Sequence, residues 1–169
     1  RALDRFLFSY LHVAAGWRPW SDALIVFFAS YFQYVFVAAF LGALFYARRP
    51  VREKWFIAGE AFAAALVARF GIIEFIRLFY DRARPFLADG THPLIAQDGP
   101  SFPSGHATFF FALSVVIFCY DRRWGVVAFA ASALIAVSRV IADVHFTSDI
   151  AAVALIGAAT GVCVCFVVR

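Results

Sequence analysis

The chain contains no methionine and only three cysteines in 169 residues. Charge is scarce too: 15% of residues are charged, against 64% hydrophobic. Soluble domains of this length rarely show that balance. Cys119, Cys163 and Cys165 all lie in apolar segments. An odd count without CxxC or histidine spacing gives no zinc site and no disulfide framework. The three are expected to be small buried or lipid-facing hydrophobes. Without a methionine, Arg1 is not expected to be the natural start. "RALDRFLFSYLHVAAG" makes a poor signal peptide, because Asp4 and Arg5 interrupt its opening. A net charge of +4 fits basic loops on one side of a membrane better than nucleic-acid binding. There is no repeat and no low-complexity linker, and the length predicts one membrane-embedded domain over 1–169.

What is present is a series of long apolar runs. Residues 22–47, 55–79, 104–120, 124–141 and 146–168 read as membrane spans. Residues 3–15 carry Arg5 and His12 and are too short to cross, so an interfacial helix is expected there. Trp17 and Trp20, around Pro19, suit interfacial anchors. The expected fold class is therefore an all-α integral membrane bundle, with five spans and one N-terminal interfacial helix. Arg48, Arg49, Arg52 and Lys54, then Arg122 and Arg123, then Arg169 fall on one face. The positive-inside rule makes that face cytoplasmic. Arg1, Arg5 and Arg18 fall on the other. Glu60, Arg69 and Glu74 interrupt a span and should face the bundle. Glu74 is placed to hold Arg77, and Arg69 to pair with an acid, with contact to a substrate headgroup as the alternative. Gly157 and Gly161 allow close helix approach within the monomer, with dimerisation as the alternative.

Alternating span direction returns three polar clusters to the outer face. The first is "RLFYDRARP", with Arg77 and Arg84. The second is "GPSFPSGHATFF", with Pro103, Ser104, Gly105 and His106. The third is "SRVIADVHFTSD", with Ser138, Arg139, His145 and Asp149. Arginines carry fixed charge in a fork that matches phosphate oxygens. Ser104 stands where an N-cap belongs, and the free N–H groups behind it make an anion site. Gly105 lets the backbone approach closely. His145 and Asp149 are spaced i, i+4, so one helical turn can pair them. A carboxylate on one ring nitrogen leaves the other as nucleophile. His106 can then protonate a leaving oxygen. Each residue alone has a plainer reading. Arg77 and Arg84 could snorkel, Pro-Ser-Gly could only start a helix, and His145 could touch a headgroup. Their order and spacing together point to one site. His12 reads as a satisfied interfacial histidine, His92 as structural or solvent-facing, and Asp143 as a cap for the last span, with tuning of His145 as the alternative.

These clusters resemble the three motifs of the type 2 phosphatidic acid phosphatase superfamily. That pattern is Lys-x6-Arg-Pro, Pro-Ser-Gly-His and Ser-Arg-x5-His-x3-Asp. The second and third match throughout; in the first, Arg77 stands where lysine is usual. The resemblance implies a six-helix membrane phosphatase that needs no metal or other cofactor. His145 would attack phosphorus to give a phosphohistidine, and Asp149 would orient it. His106 would protonate the leaving group and then activate water. Arg77, Arg84, Ser104, Gly105 and Arg139 would hold the phosphate. The expected partners are a lipid phosphate and membrane lipids, with no nucleic acid. The expected place is the plasma membrane, with the site on the outer, periplasmic side. Within the family, "RARPF" followed by "SFPSGHAT" on a small chain points to undecaprenyl diphosphate, a cell-wall lipid. Phosphatidylglycerophosphate and phosphatidic acid are rival substrates. A lipid phosphotransferase, a non-catalytic carrier and a vanadium haloperoxidase are the rival classes.

Overall fold

The structure is a computed structural model that describes Phe6, Phe8, Tyr10, Leu11 and residues 15–168, apart from the side chain of Asp89. Helix α1 runs Pro19–Tyr46 and α2 runs Val51–Arg77. A short α3, Pro85–Asp89, lies in the long loop. Then come α4, Gly105–Tyr120, α5, Arg122–Ile141, and α6, Thr147–Val168. The described residues form helices and loops; four of the five expected spans are helices long and apolar enough to cross a membrane, and the fifth, Gly105–Tyr120, is a shorter apolar helix. The chain is an all-α membrane bundle, as its apolar runs require. In hydrocarbon only internally bonded backbone can cross.

Of the expected interfacial helix, Phe6, Phe8, Tyr10 and Leu11 are helical. Arg5, His12 and the remainder lie outside the described residues, as do Arg1 and Arg169. Phe8 is buried against Phe146, ring centroids 5.5 Å apart, so this segment leans on the turn that carries His145.

Helix α4 is the central post. It packs on α2, α5 and α6, and Ala107, Leu113 and Val116 are fully enclosed. Its 16 residues reach about 24 Å, short of a hydrocarbon core of roughly 30 Å. With Asp121 at the basic end, its opening turn lies below the opposite rim. Asp121 caps α5 by accepting from the Arg123 and Trp124 N–H groups at 2.9 and 3.1 Å. Polar side chains inside the bundle find each other. Ser114 meets Ser132 at 2.9 Å, and Tyr120 donates to buried Glu60 at 2.5 Å, as burial in lipid demands.

Gly157 and Gly161 serve packing within the chain. A Cβ on Gly157 would lie 2.6 Å from the Thr108 carbonyl oxygen, and one on Gly161 would lie 2.8 Å from that of Ala112. Both neighbours are α4 backbone, which cannot swing aside. Helix α1 is the loosest element and mostly faces lipid; it is seated by Phe36, stacked on Phe110 at 5.1 Å. Two helices widen locally to π-type winding, at Phe27–Tyr31 in α1 and Val67–Ile72 in α2. Such widenings often mark functional positions, and both lie beside the polar end.

Gly157→Ala is expected to destabilise by about 1–3 kcal/mol through overpacking. Gly59→Ala, where a Cβ meets open space, should be neutral or stabilise by up to about 1 kcal/mol. Thermal melts in detergent would separate the two, and equal melts would sink the packing argument.

Candidate active site

Pro103 breaks the chain ahead of α4, and Ser104 then takes the N-cap position in extended conformation. Its carbonyl accepts from the Thr108 N–H at 3.1 Å and the Thr108 hydroxyl at 2.8 Å. Its hydroxyl makes no cap bond; it is fully buried and has no partner. Orphaned buried hydroxyls of this kind destabilise by about 1–3 kcal/mol. Two guanidinium nitrogens share that state: Nε of Arg77 and Nε of Arg139. With the Thr147 hydroxyl at the start of α6, four buried donors at one end of the bundle lack an acceptor.

Arg77 ends α2. It donates to the Glu74 carboxylate and to the Pro103 carbonyl, each at 3.1 Å, which ties the first cluster to the second. Arg139, 2% exposed, donates to Ala29 O at 3.0 Å, in the widened turn of α1, and to Gln97 Oε1 at 2.6 Å. Arg84 donates to Gly99 O at 2.8 Å, Val144 O at 2.7 Å and Asp98 O at 2.9 Å. A guanidinium has five N–H donors, so two remain for a ligand. Arg84 thus fastens the loop as well as lying at the site. Burial, then the charge of Arg77, draws its pKa down to about 10, and it stays charged at neutral pH.

His145 precedes α6 in a tight turn that Asp143 makes with a left-handed backbone, φ 68°. Its Nδ1 lies 2.6 Å from the Ser101 carbonyl. A carbonyl only accepts, so Nδ1 carries the proton and Nε2 keeps its lone pair. Burial, then the charges of Arg139 and Arg84, holds His145 well below the usual imidazole range. The ring is neutral at neutral pH, the state a nucleophile needs. His106, half-buried in the first turn of α4, feels the charges of Arg139, Arg69, Arg77 and Arg84.

The i, i+4 pairing of His145 with Asp149 is not made. Helix α6 starts at Thr147, so the two residues are not on one helical turn. Asp149 is fully buried; its Oδ2 accepts from the Phe146 N–H at 3.0 Å and from the Ser101 hydroxyl at 2.5 Å. The first of these bonds is half of a capping box. Oδ1 accepts from Arg82 at 2.5 Å. Asp149, rather than Asp143, therefore caps the last span. Asp143 accepts from the Thr91 hydroxyl and so fastens the long loop. His92 is exposed.

Two residues, Ser101 and Arg82, were missed from the sequence. Ser101 links the second and third clusters. Arg82 bonds Asp149 and Ser148 and lies 4.0 Å over the Phe146 ring. Arg69 pairs with Glu74 as expected, but its side chain also crosses Gly105, where any Cβ would strike it. The single residue, Ala83, between Arg82 and Arg84 in an extended segment was the only signal for Arg82. The contact of Arg69 with Gly105 needed the widened turn of α2 to be known. Among the described residues, no three of His, Cys, Asp and Glu cluster as a metal site would require.

Known proteins resemble this chain in sequence and in fold. The family model described as the PAP2 superfamily matches residues 58–169. An undecaprenyl-diphosphatase, BcrC, of Bacillus subtilis is 28% identical over 85% of this chain and 73% of its own length. A decaprenylphosphoryl-5-phosphoribose phosphatase of Mycobacterium tuberculosis is 35% identical over 74% of this chain and 66% of its own. In fold, the crystal structure of Aquifex aeolicus LpxE aligns with TM-score 0.77 and 23% identity, over 97% of this chain and 95% of that one. A PAP2-type phosphatidylglycerolphosphate phosphatase of Bacillus subtilis aligns with TM-score 0.65 and 19% identity, over 96% of this chain and 83% of that one.

Arg82→Gln would leave the Asp149 carboxylate enclosed without its cation. The expected loss of stability is about 3–5 kcal/mol. Adding Asp149→Asn should recover part of it, because no unpaired charge remains. A detergent melt of the single and double variants checks this; additive losses would contradict it.

Proposed function

The chain belongs to the PAP2 superfamily and is a membrane phosphatase; from that premise we propose that it removes phosphate from a lipid diphosphate, best matched by undecaprenyl diphosphate. The observation that carries this is a set of three orphaned donors, Ser104 Oγ, Arg77 Nε and Arg139 Nε, buried at the cation-rich end of the bundle. A phosphate would satisfy all three and offset the charge of the guanidinium groups. Arg84 and the N–H groups behind Gly105 complete the cradle. Charge neutralisation and positioning then supply most of the catalysis.

In this reading Nε2 of His145 attacks phosphorus, and the bond to the leaving oxygen breaks. His106 gives that oxygen its proton, and the phosphoryl group rests on His145. Water follows. His106 takes one of its protons, the hydroxyl attacks phosphorus, the P–N bond breaks, and phosphate departs. Neutral His145 suits the first step, because a protonated ring has no lone pair to offer.

A lipid phosphate, rather than a soluble ester, is supported by the surroundings of the cradle. Phe70, Phe75, Leu78 and Phe79 stand exposed to hydrocarbon on the same stretch of α2 as Arg69 and Arg77. A headgroup could enter sideways while its tail stays in the bilayer. Arg69, beside Gly105, is one cation more than a single phosphate needs, and this favours a diphosphate over a monoester. Undecaprenyl diphosphate also agrees with the name of the Bacillus subtilis relative. The orientation that follows from the basic loops puts the site on the periplasmic side. We also take the whole chain as one domain, since α2, α4, α5 and the loops between them each supply part of the site.

The test is phosphate release by detergent-purified protein with chelator present. Undecaprenyl diphosphate, phosphatidylglycerophosphate and phosphatidic acid would be compared. Undecaprenyl diphosphate should turn over fastest, His145→Ala should abolish release, and His106→Ala should slow it about 10²–10⁴-fold. Arg69→Gln should lower kcat/KM for the diphosphate roughly tenfold relative to a monophosphate, the worth of one charge-assisted hydrogen bond. Full activity in His145→Ala would sink the covalent mechanism, and faster turnover of a monophosphate would replace the substrate assignment.

A further inference from the structure

We propose that Ser101 is a positioning residue through which Asp149 controls the nucleophile, so that the relay in this protein runs Asp149–Ser101–His145. The inference rests on the phosphohistidine reading above but adds a residue that lies outside all three motifs.

The geometry is specific. Ser101 is fully buried and is held at both of its polar ends and at its amide. Its N–H donates to the Arg82 carbonyl at 2.7 Å. Its hydroxyl donates to Asp149 Oδ2 at 2.5 Å. Its carbonyl accepts from Nδ1 of His145 at 2.6 Å. The residue that orients the imidazole is therefore oriented by the carboxylate. Asp149 has its own supports: Arg82 on Oδ1 and the Phe146 N–H on Oδ2. Arg82 closes the ring of contacts, because its side chain holds Asp149 and its carbonyl holds Ser101. A carbonyl so fixed allows one tautomer and one ring plane, with Nε2 as the free nitrogen. Positioning of this kind decides rate, since misplacement by about 1 Å can slow an enzyme on the order of 10²-fold.

A plain packing role for Ser101 predicts something different. The hydroxyl would then matter only for stability, and its loss would act independently of Asp149. The relay predicts coupling, because the Ser101 hydroxyl ties Asp149 to the residue whose carbonyl holds the His145 ring.

The experiment is a double-mutant cycle on purified protein, with kcat, KM and inhibition by inorganic phosphate measured for wild type, Ser101→Ala, Asp149→Asn and the double variant. Ser101→Ala should lower kcat roughly ten- to hundredfold, the worth of a hydrogen bond to a charged group. KM and the inhibition constant for phosphate should stay within about twofold, because Arg77, Arg139 and Ser104 are untouched. The double variant should be no slower than the slower single one. Ser101→Cys, which keeps a weak donor, should fall between wild type and Ser101→Ala, and it serves if the alanine variant does not fold. Unchanged kcat in Ser101→Ala, multiplying penalties in the cycle, or parallel loss of phosphate inhibition would each overturn the relay. A separate readout does not depend on turnover: ¹⁵N-histidine spectra should show the His145 ring protonated at Nδ1 in the wild type. A ring protonated at Nε2 would overturn the relay even if the protein proved to act on no lipid. Conversely, the Nδ1 form in a wild type that releases no phosphate would support the relay while refuting the phosphatase reading.

Discussion

The guanidinium of Arg84 is the constraint around which the polar end is built. Its three bonds to Asp98, Gly99 and Val144 join the long loop to the turn before α6. They hold the backbone just ahead of Ser101 and of His145. The Val144 carbonyl that Arg84 fills is buried, whereas Asp98 and Gly99 are exposed residues of the loop, and a buried carbonyl left without a donor is costly. One side chain therefore satisfies the backbone of two segments and sets their spacing. Pro85, directly after it, starts α3 and keeps the chain from running on as a loop.

Burying so many cations together is unfavourable for folding, and the structure spreads the strain among few partners. Glu74 is shared by Arg69 and Arg77, and Asp149 answers Arg82. Arg139 and Arg84 are held by carbonyl and amide oxygens alone. These are dipoles, and they leave net positive charge in place. That surplus, with the unpartnered Ser104 hydroxyl, is what an anion would relieve. Sites commonly hold such unmet interactions ready for their ligands. The left-handed backbone of Asp143 is a second departure from local comfort. The Thr91 hydroxyl on its carboxylate keeps it there.

The rest of the molecule is a scaffold that holds this end rigid. Gly157 and Gly161 bring α6 against the α4 backbone. That contact fixes Asp149, at the start of α6, relative to Ser104, at the start of α4. Helix α1 contributes little burial but delivers the Ala29 carbonyl, freed by its widened turn, to Arg139. Phe8 supports Phe146 from outside, next to the nucleophile.

The sequence by itself determined the spans, the basic face and the meeting of three polar clusters at one end. These follow from hydropathy, charge counting and alternating direction, which need no tertiary detail. It also marked Ser104 and Gly105, because an N-cap and a close approach have local signatures. What it misjudged was geometry that depends on where a helix begins. His145 and Asp149 are four apart, yet α6 starts between them, so the helical pairing rule does not apply. Arg84 looked like a ligand only, because its bonds go to backbone carbonyls that carry no sequence signal. Ser101 and Arg82 were invisible because their side-chain partners are remote in sequence. Asp149 lies 48 positions from Ser101 and 67 from Arg82. Only packing brings such partners together, and packing is a property of the whole bundle.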